Sequence, residues 1–426
     1  MPRFFRPTPR AWRVLRMVVV VMIGWAATAR GAETKGGPMS YGEVRDFLAK
    51  HTKLVELTAG DGARVTVAPA WQGRVMTSTC SGLDGPSFGF VCYNFISAGK
   101  TNPHFNNYGG EDRMWLSPEG GQYSLWFKPG EPQNLTNWHT TPLLNDMPWA
   151  VTATGHASRV RMEAAASLEN ASGTQFRIHV TRDVVLLSAD EAGRRFGEVA
   201  GQTLRAPGVK TVAYETVNQI TNRGAPMSKS KGLLAIWILG MLNAGPEAIT
   251  ILPYKPGSEA GLGPVVRSDY FGSVPPDRLK VLPQAVLFRG DANYRSKLGI
   301  SQRRAEKVLG AIDFQSNVLT LVTFSMPDDP TQYLYPNSGW QVPQKEPYRG
   351  DVVNAYNDGP NDTGGRLGKF LEVESVSPAK ELKTGQSLSH RSTTLHVQAD
   401  RDILARLARE VLGVELEAVR QQMLGQ

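Results

Sequence analysis

The stretch Gly109–Gly121, GGEDRMWLSPEGG, carries the densest chemistry in the chain. Read as a strand, its side chains divide by alternation: Glu111, Arg113 and Trp115 face one way, Asp112, Met114 and Leu116 the other. A carboxylate, a guanidinium and an indole on one face suit a saccharide. Arg gives a rigid fork of donors to vicinal hydroxyls, Glu accepts from them, and Trp stacks on the apolar side of a sugar ring. Pro118 stops the strand, and Glu119 adds a further acceptor before the turn at Gly120-Gly121. The same spacing also suits an edge strand whose Arg and Glu pair while Trp packs.

A second segment, LGKFLEVESVSP over 367–378, places Glu372 and Glu374 on one strand face beside Phe370. Close carboxylates resist double ionisation, so one of them can keep a proton near neutral pH. Two solvated glutamates on an exposed face are the plainer alternative. Upstream, DVVNAYNDGPNDTGG (351–365) reads as a polar loop in which Asn357 and Asp358, with Asn354, Asn361 and Asp362, could bond a sugar or hold Ca²⁺ through oxygen. Its spacing fits no EF-hand, turn chemistry accounts for Asn-Asp-Gly-Pro, and no other cofactor is indicated. Asn107 and His104 lie just before the opening motif, and Trp138-His139 just after it. Asp269-Tyr270-Phe271-Gly272, Arg289, Arg295 and Lys297 stand in the second half without fixing a reaction. No GxSxG, HExxH, P-loop or dinucleotide fingerprint occurs.

The elements that must position these residues read as mainly β. Short apolar or alternating runs recur from Leu54 to about Thr394, among them VELTA, YSLWF, FRIHVTRDVVLL and VLTLVTFSM, with Gly/Pro/Asn/Asp turns between them. This predicts one large antiparallel sandwich over 54–399, with an N-terminal helical segment over 33–53. Ser40-Tyr41-Gly42-Glu43 matches a capping box for a helix over 41–50. Amphipathic helices over 400–426 are expected to pack on the outside of the sandwich.

Residues 1–32 read as a secretory leader: a basic n-region of five arginines (Arg3 to Arg16), the apolar run MVVVVMIGWAA, and a cleavage site at Ala27-Thr28-Ala29 or at Ala32. The chain carries a net charge of +8, five units of it from the leader arginines, so cleavage at Ala29 leaves +3. That balance and the lack of a basic cluster with interleaved aromatics exclude nucleic-acid binding. Periplasmic or secreted localisation as a monomer is expected, with no stable membrane span after cleavage. Cys80 and Cys92, twelve positions apart around a turn-rich stretch, could bridge a hairpin or remain two buried thiols.

Two segments carry a resemblance. GGEDRMWLSPEGG resembles the Gly-Gly-x-x-Arg-x-Trp-x-x-Pro-Glu strand of galactose-mutarotase-like (aldose 1-epimerase-like) proteins, and residues 367–390 resemble their closing, Glu-bearing strand. With IWILGM, DYFG, YRSKLG and YNDGP, the chain most resembles an uncharacterised family of secreted bacterial proteins in that superfamily. The resemblance implies a β-supersandwich with a concave sugar-binding face. Glu374 or Glu372 matches the epimerase base, whereas no match to the epimerase histidine is found; His139 or His104 is the nearest stand-in for the acid. Lys369 and Leu371 depart from the Pro and Tyr of the pattern. The expected function is thus an exported, carbohydrate-active protein, epimerase-like or glycan-cleaving, or else a non-catalytic glycan-binding protein of the envelope.

Overall fold

Ser40 caps the first helix reciprocally: its hydroxyl accepts from the Glu43 amide while Glu43 accepts from the Ser40 amide. The computed structural model describes residues 39–425 apart from 61, 362 and 363, so the expected leader over 1–32 and Asp362 lie outside the described residues. Helix α1 (Tyr41–Ala49) is followed by β1 (Val55–Thr58), β2 (Arg64–Ala68), β3 (Arg74–Thr79), α2 (Tyr93–Ala98), β4 (Arg113–Ser117), α3 (Pro142–Asn145), β5 (Ala150–Gly155), β6 (Arg159–Glu169) and β7 (Gln175–Leu187). Then come α4 (Ala189–Phe196), α5 (Glu198–Leu204), β8 (Lys210–Asn222), β9 (Ala235–Asn243), β10 (Ala248–Pro253) and α6 (Glu259–Leu262). The remainder comprises β11 (Leu279–Val281), β12 (Ala285–Arg289), β13 (Ser296–Ser301), β14 (Val308–Asp313), β15 (Val318–Phe324), β16 (Asp351–Asn357), β17 (Phe370–Val376), β18 (Ser387–Gln398), α7 (Arg401–Leu412) and α8 (Leu416–Leu424).

The fold is mainly β, as expected, and its strands form three antiparallel sheets. Ten strands run in the order β11-β12-β10-β14-β15-β18-β8-β7-β6-β5, five in the order β13-β16-β17-β9-β4, and three in the order β1-β2-β3. The ten- and five-stranded sheets pack face to face. Ile238 and Val373 from the smaller sheet meet Val322 and Thr394 from the larger, and Ser375 bonds His390 of β18 at 2.9 Å. Because β17 is covered on this face, its other face carries Phe370, Glu372 and Glu374.

The outer face of the ten-stranded sheet is covered by helices. Phe196 and Leu204 of the α4–α5 pair, and Leu404, Leu407, Leu416 and Val419 of α7–α8, pack with Ile249, Leu287, Leu319 and Leu395. The α4–α5 pair falls between two runs that the sequence read as strands, in a stretch for which no helix was expected. Its signal is Ser188–Glu191, a second reciprocal capping box. YSLWF (123–127), buried except for half-buried Tyr123, is not a strand: Ser124 bonds both the Trp126 amide and the Glu119 carbonyl, turning the backbone out of an extended path.

No disulfide joins Cys80 and Cys92; Cys80 is buried and Cys92 half-buried. Among the described residues, no helix is long and apolar enough to cross a membrane.

Candidate functional site

Strand pairing assembles one face of the five-stranded sheet from segments far apart in sequence. Trp115 on β4 lies opposite Trp237 on β9, and Arg113 opposite Leu239. Leu239 and Met241 lie opposite Glu374 and Glu372 on β17. Those two glutamates lie opposite Asn354 and Tyr356 on β16, and Tyr356 lies opposite Lys297 on β13. Directly opposed residues share a face, so all of these side chains project to the same side, away from the larger sheet.

Charges on this face are matched in pairs. Arg113 forms a buried ion pair with Glu372, and its guanidinium lies 4.6 Å from the Trp115 ring centroid. Lys297 donates to Glu374 Oε2 at 3.1 Å, and Trp237 Nε1 donates to the same oxygen at 2.9 Å. Lys297 also sits 4.7 Å from the Trp237 ring. Glu374 is wholly buried, whereas Glu372 is 7 % exposed. Burial, countered by Arg113 and reinforced by Glu374, raises the Glu372 carboxyl to about 7. Burial would discharge Lys297, but Glu374, Glu119 and Glu372 outweigh it and hold the ammonium above its usual range. Burial depresses the Arg113 guanidinium, though Glu372 and Glu374 oppose the effect.

One end of the face is an aromatic wall. Trp126 stacks on Trp138 at 5.2 Å and 13°, Trp115 lies 4.4 Å from Trp126 and 5.4 Å from Trp237, and Phe105 packs edge-on against Trp115. Trp138 Nε1 donates to Glu119 Oε1 at 2.9 Å, and burial raises the Glu119 carboxyl despite the pull of Lys297. At the other end, Tyr270 donates to Asp351 and carries Arg267 stacked 4.2 Å from its ring.

Several buried polar atoms around this face have no hydrogen-bond partner among the described residues: Glu374 Oε1, Arg113 Nε and Nη1, Trp115 Nε1, and Asn107 Oδ1. Buried polar atoms normally find partners, and other unmet atoms occur elsewhere in the protein; those on this face stand beside paired charges and indoles, where a polar ligand could meet them.

The sequence-derived candidates divide accordingly. Arg113, Trp115, Glu119, Trp138, Glu372 and Glu374 come together through the contacts above. Asn107 donates to the Leu367 carbonyl at 2.8 Å and so ties its loop to the start of β17. Asp358 is buried, accepting from the Tyr356 hydroxyl at 2.7 Å and the Gly368 amide at 2.8 Å, and burial raises its carboxyl.

Glu111 corrects the alternation reading. It does not share the face of Arg113 and Trp115 but turns into the space between the sheets, where Ser78 donates to it at 2.6 Å and His396 Nε2 lies 2.9 Å from its Oε1. The regular strand begins only at Arg113; Gly109 and Gly110 have φ of 83° and 124°, which breaks the alternation upstream.

Asn354 and Asn357 are strand residues of β16, not loop residues. The Asn357 side chain accepts from the Ala292 amide and donates to the Tyr294 carbonyl, both at 2.8 Å, on the face opposite Tyr356. His104 is exposed, its Nδ1 2.8 Å from the Trp138 carbonyl, and half-buried His139 has Nδ1 3.1 Å from the Asn137 carbonyl. Among the described residues, no hydrogen bond or ion pair links either histidine to Glu372 or Glu374, and no cluster of three or more His, Cys, Asp or Glu is arranged to hold a metal.

The sequence did not single out Trp237 or Tyr356 as site residues, and it named Lys297 only among scattered polar candidates without a role. The apolar runs of β9 and β16 conceal Trp237 and Tyr356, and only sheet pairing brings Lys297 to Glu374.

Residues 39–423 match a family of unknown function, DUF6786, and the chain belongs to that family. No curated protein matches the sequence significantly. Among solved structures, a protein from Synechocystis sp. PCC 6803 aligns at 13% identity with a TM-score of 0.46, covering 82% of this chain and 96% of that one. A galactose mutarotase-like protein from Lactobacillus casei aligns at 10% identity with a TM-score of 0.44, covering 82% and 100%. A galactose mutarotase related enzyme from Lactobacillus acidophilus aligns at 9% identity with a TM-score of 0.43, covering 82% and 99%.

Proposed function

We propose that this DUF6786 member is an exported carbohydrate-active protein that holds a sugar against the outer face of its five-stranded sheet and performs acid–base chemistry there through Glu372. The observation that carries this reading is the convergence of unpartnered polar atoms on Arg113, Trp115 and Glu374 beside a carboxyl raised to about 7 and a tryptophan wall. The unmet donors suit sugar hydroxyls, and the indoles suit the C–H face of a ring. A carboxyl that titrates near neutrality is matched to proton transfer at that pH. Burial keeps the Glu372 proton in place, and Glu374, fixed by Trp237 and Lys297, adds to that effect. Epimerisation needs one proton removed and one delivered, and cleavage likewise needs paired groups; Glu119 at the tryptophan wall is the second carboxyl available. The motif resemblance to galactose-mutarotase-like proteins points the same way.

Complete burial of Glu374 favours a second reading, a glycan-binding protein without turnover. The test is Glu372→Gln and Glu374→Gln, each assayed for binding and for turnover of aldoses and oligosaccharides. Binding retained with turnover lost in Glu372→Gln supports the enzyme. Wild-type binding without turnover of any sugar selects the second reading, and absence of binding overturns both.

A further inference from the structure

Three cations on or beside the outer face of the five-stranded sheet are matched to carboxylates. Arg113 pairs with Glu372, Lys297 with Glu374, and Arg267 with Asp269 and, at 4.0 Å, with Asp351. Among the described residues, no carboxylate lies within ion-pair distance of Arg295. Its Nε donates to the Tyr356 hydroxyl at 3.2 Å, and that hydroxyl passes its own proton toward Asp358 at 2.7 Å. Its guanidinium lies 4.2 Å from the Phe271 ring centroid, and Phe271 is itself 45% exposed. Among the described residues, the two Nη groups make no hydrogen bond.

The backbone that presents this guanidinium is fixed. Asn357 grips both Ala292 and Tyr294, the residues leading into Arg295. Gly359 packs so closely that a Cβ there would stand 2.5 Å from the Arg295 amide. A half-buried arginine stacked on an aromatic ring, held at Nε, and left with its Nη edge unmatched is set up for bidentate bonding to an oxoanion. It lies near the acid–base groups, close enough to offset part of the rise that burial gives the Glu119 and Asp358 carboxyls.

We infer that Arg295 recognises an acidic substituent, a carboxylate or a sulfate, on the sugar bound at this face. The inference rests on the function proposed above and names the substrate class: uronic or sulfated sugars rather than neutral aldoses. Tyr356 and Phe271 position the guanidinium, and Asn357 positions the loop that carries it.

The experiment titrates the intact protein with galacturonate, glucuronate, galactose 6-sulfate, galactose and glucose, reading tryptophan fluorescence and calorimetry. The acidic sugar of at least one pair binds about tenfold to a hundredfold tighter than its neutral counterpart, the range a charge-assisted bidentate contact supplies. Arg295→Gln brings that ratio close to one, while Arg295→Lys keeps part of it; whichever pair shows the larger ratio identifies the substituent. Equal wild-type binding of acidic and neutral sugars overturns the inference and leaves the proposed function standing. A preference that survives in Arg295→Gln also overturns it. Failure of every sugar to bind removes the proposed function, and this inference with it.

Discussion

Arg113 and Glu372, 259 positions apart, form a buried ion pair across β9. The strand register sets Arg113 level with Leu239 and thus with Glu374, yet its bond runs diagonally to Glu372, which leaves Glu374 to Lys297 and Trp237. That exchange divides the two carboxylates. One is sealed, and the other keeps a sliver of exposure and a proton affinity near neutrality.

Breaking this pair from one side exposes the cost of an uncompensated buried charge. Arg113→Met and Glu372→Leu are each expected to lose about 3–5 kcal/mol of stability. The double variant should recover much of either loss, because two apolar side chains of similar bulk leave no charge stranded. Denaturant unfolding of the four proteins measures the cycle. Strict additivity would show that the two groups do not interact.

The titration of Glu372 gives stability a pH dependence with a definite sign. Burial sets its folded value at about 7 against 4.5 for the ordinary group. Between those values the folded protein holds a proton that the unfolded chain has released, so the contribution is full below the unfolded value and is lost as pH rises through about 7. Burial raises Glu119, Asp351 and Asp358 in the same direction. The melting temperature should therefore fall from about pH 5 to about pH 8, and less steeply in Glu372→Gln. If Glu372 serves as the base, turnover rises over the same interval. A melting temperature that climbs through neutrality would show that Arg113 prevails over burial.

The tryptophans should separate by role. Trp115 is buried among four other aromatic rings, so Trp115→Ala costs about 3–5 kcal/mol, as large-to-small core changes do. Trp138 is half-buried, with its indole anchored on Glu119. Trp138→Ala should cost much less stability and weaken sugar binding several-fold. Calorimetric unfolding and sugar titration of the two variants decide the matter; binding unaffected by Trp138→Ala removes that ring from the ligand surface.

How far the sequence could lead is visible in these same residues. Period-two alternation placed Arg113 with Trp115 and Glu372 with Glu374, because it holds wherever a strand is regular. It failed at Glu111, where two glycines of positive φ precede the strand and turn the carboxylate toward Ser78 and His396. It was silent on Lys297 and Trp237, whose part depends on strands pairing over long separations, and it mistook YSLWF for a strand because buried apolar runs look alike whether extended or turned. The α4–α5 pair was legible in the Ser188–Glu191 capping box but was masked by the strand-rich runs on either side.

The glycines of the opening motif make the last prediction. Gly109 has φ of 83°, and a Cβ there would stand 2.2 Å from the Phe90 carbonyl oxygen, against backbone that cannot swing aside. Gly110 N in turn donates to that same oxygen at 2.9 Å, so displacing Phe90 also strains the approach to Arg113. Gly109→Ala should therefore destabilise the protein by about 1–3 kcal/mol from the backbone conformation alone, with the clash in addition. Gly130 also has positive φ, 78°, but open space around its Cβ position, so Gly130→Ala isolates the conformational part. Denaturant midpoints of the two variants give the comparison. The Gly109 substitution should cost clearly more and also perturb the environment of Trp115 in near-ultraviolet dichroism, whereas equal costs would mean that close approach to Phe90 plays no part in setting the strand that carries Arg113.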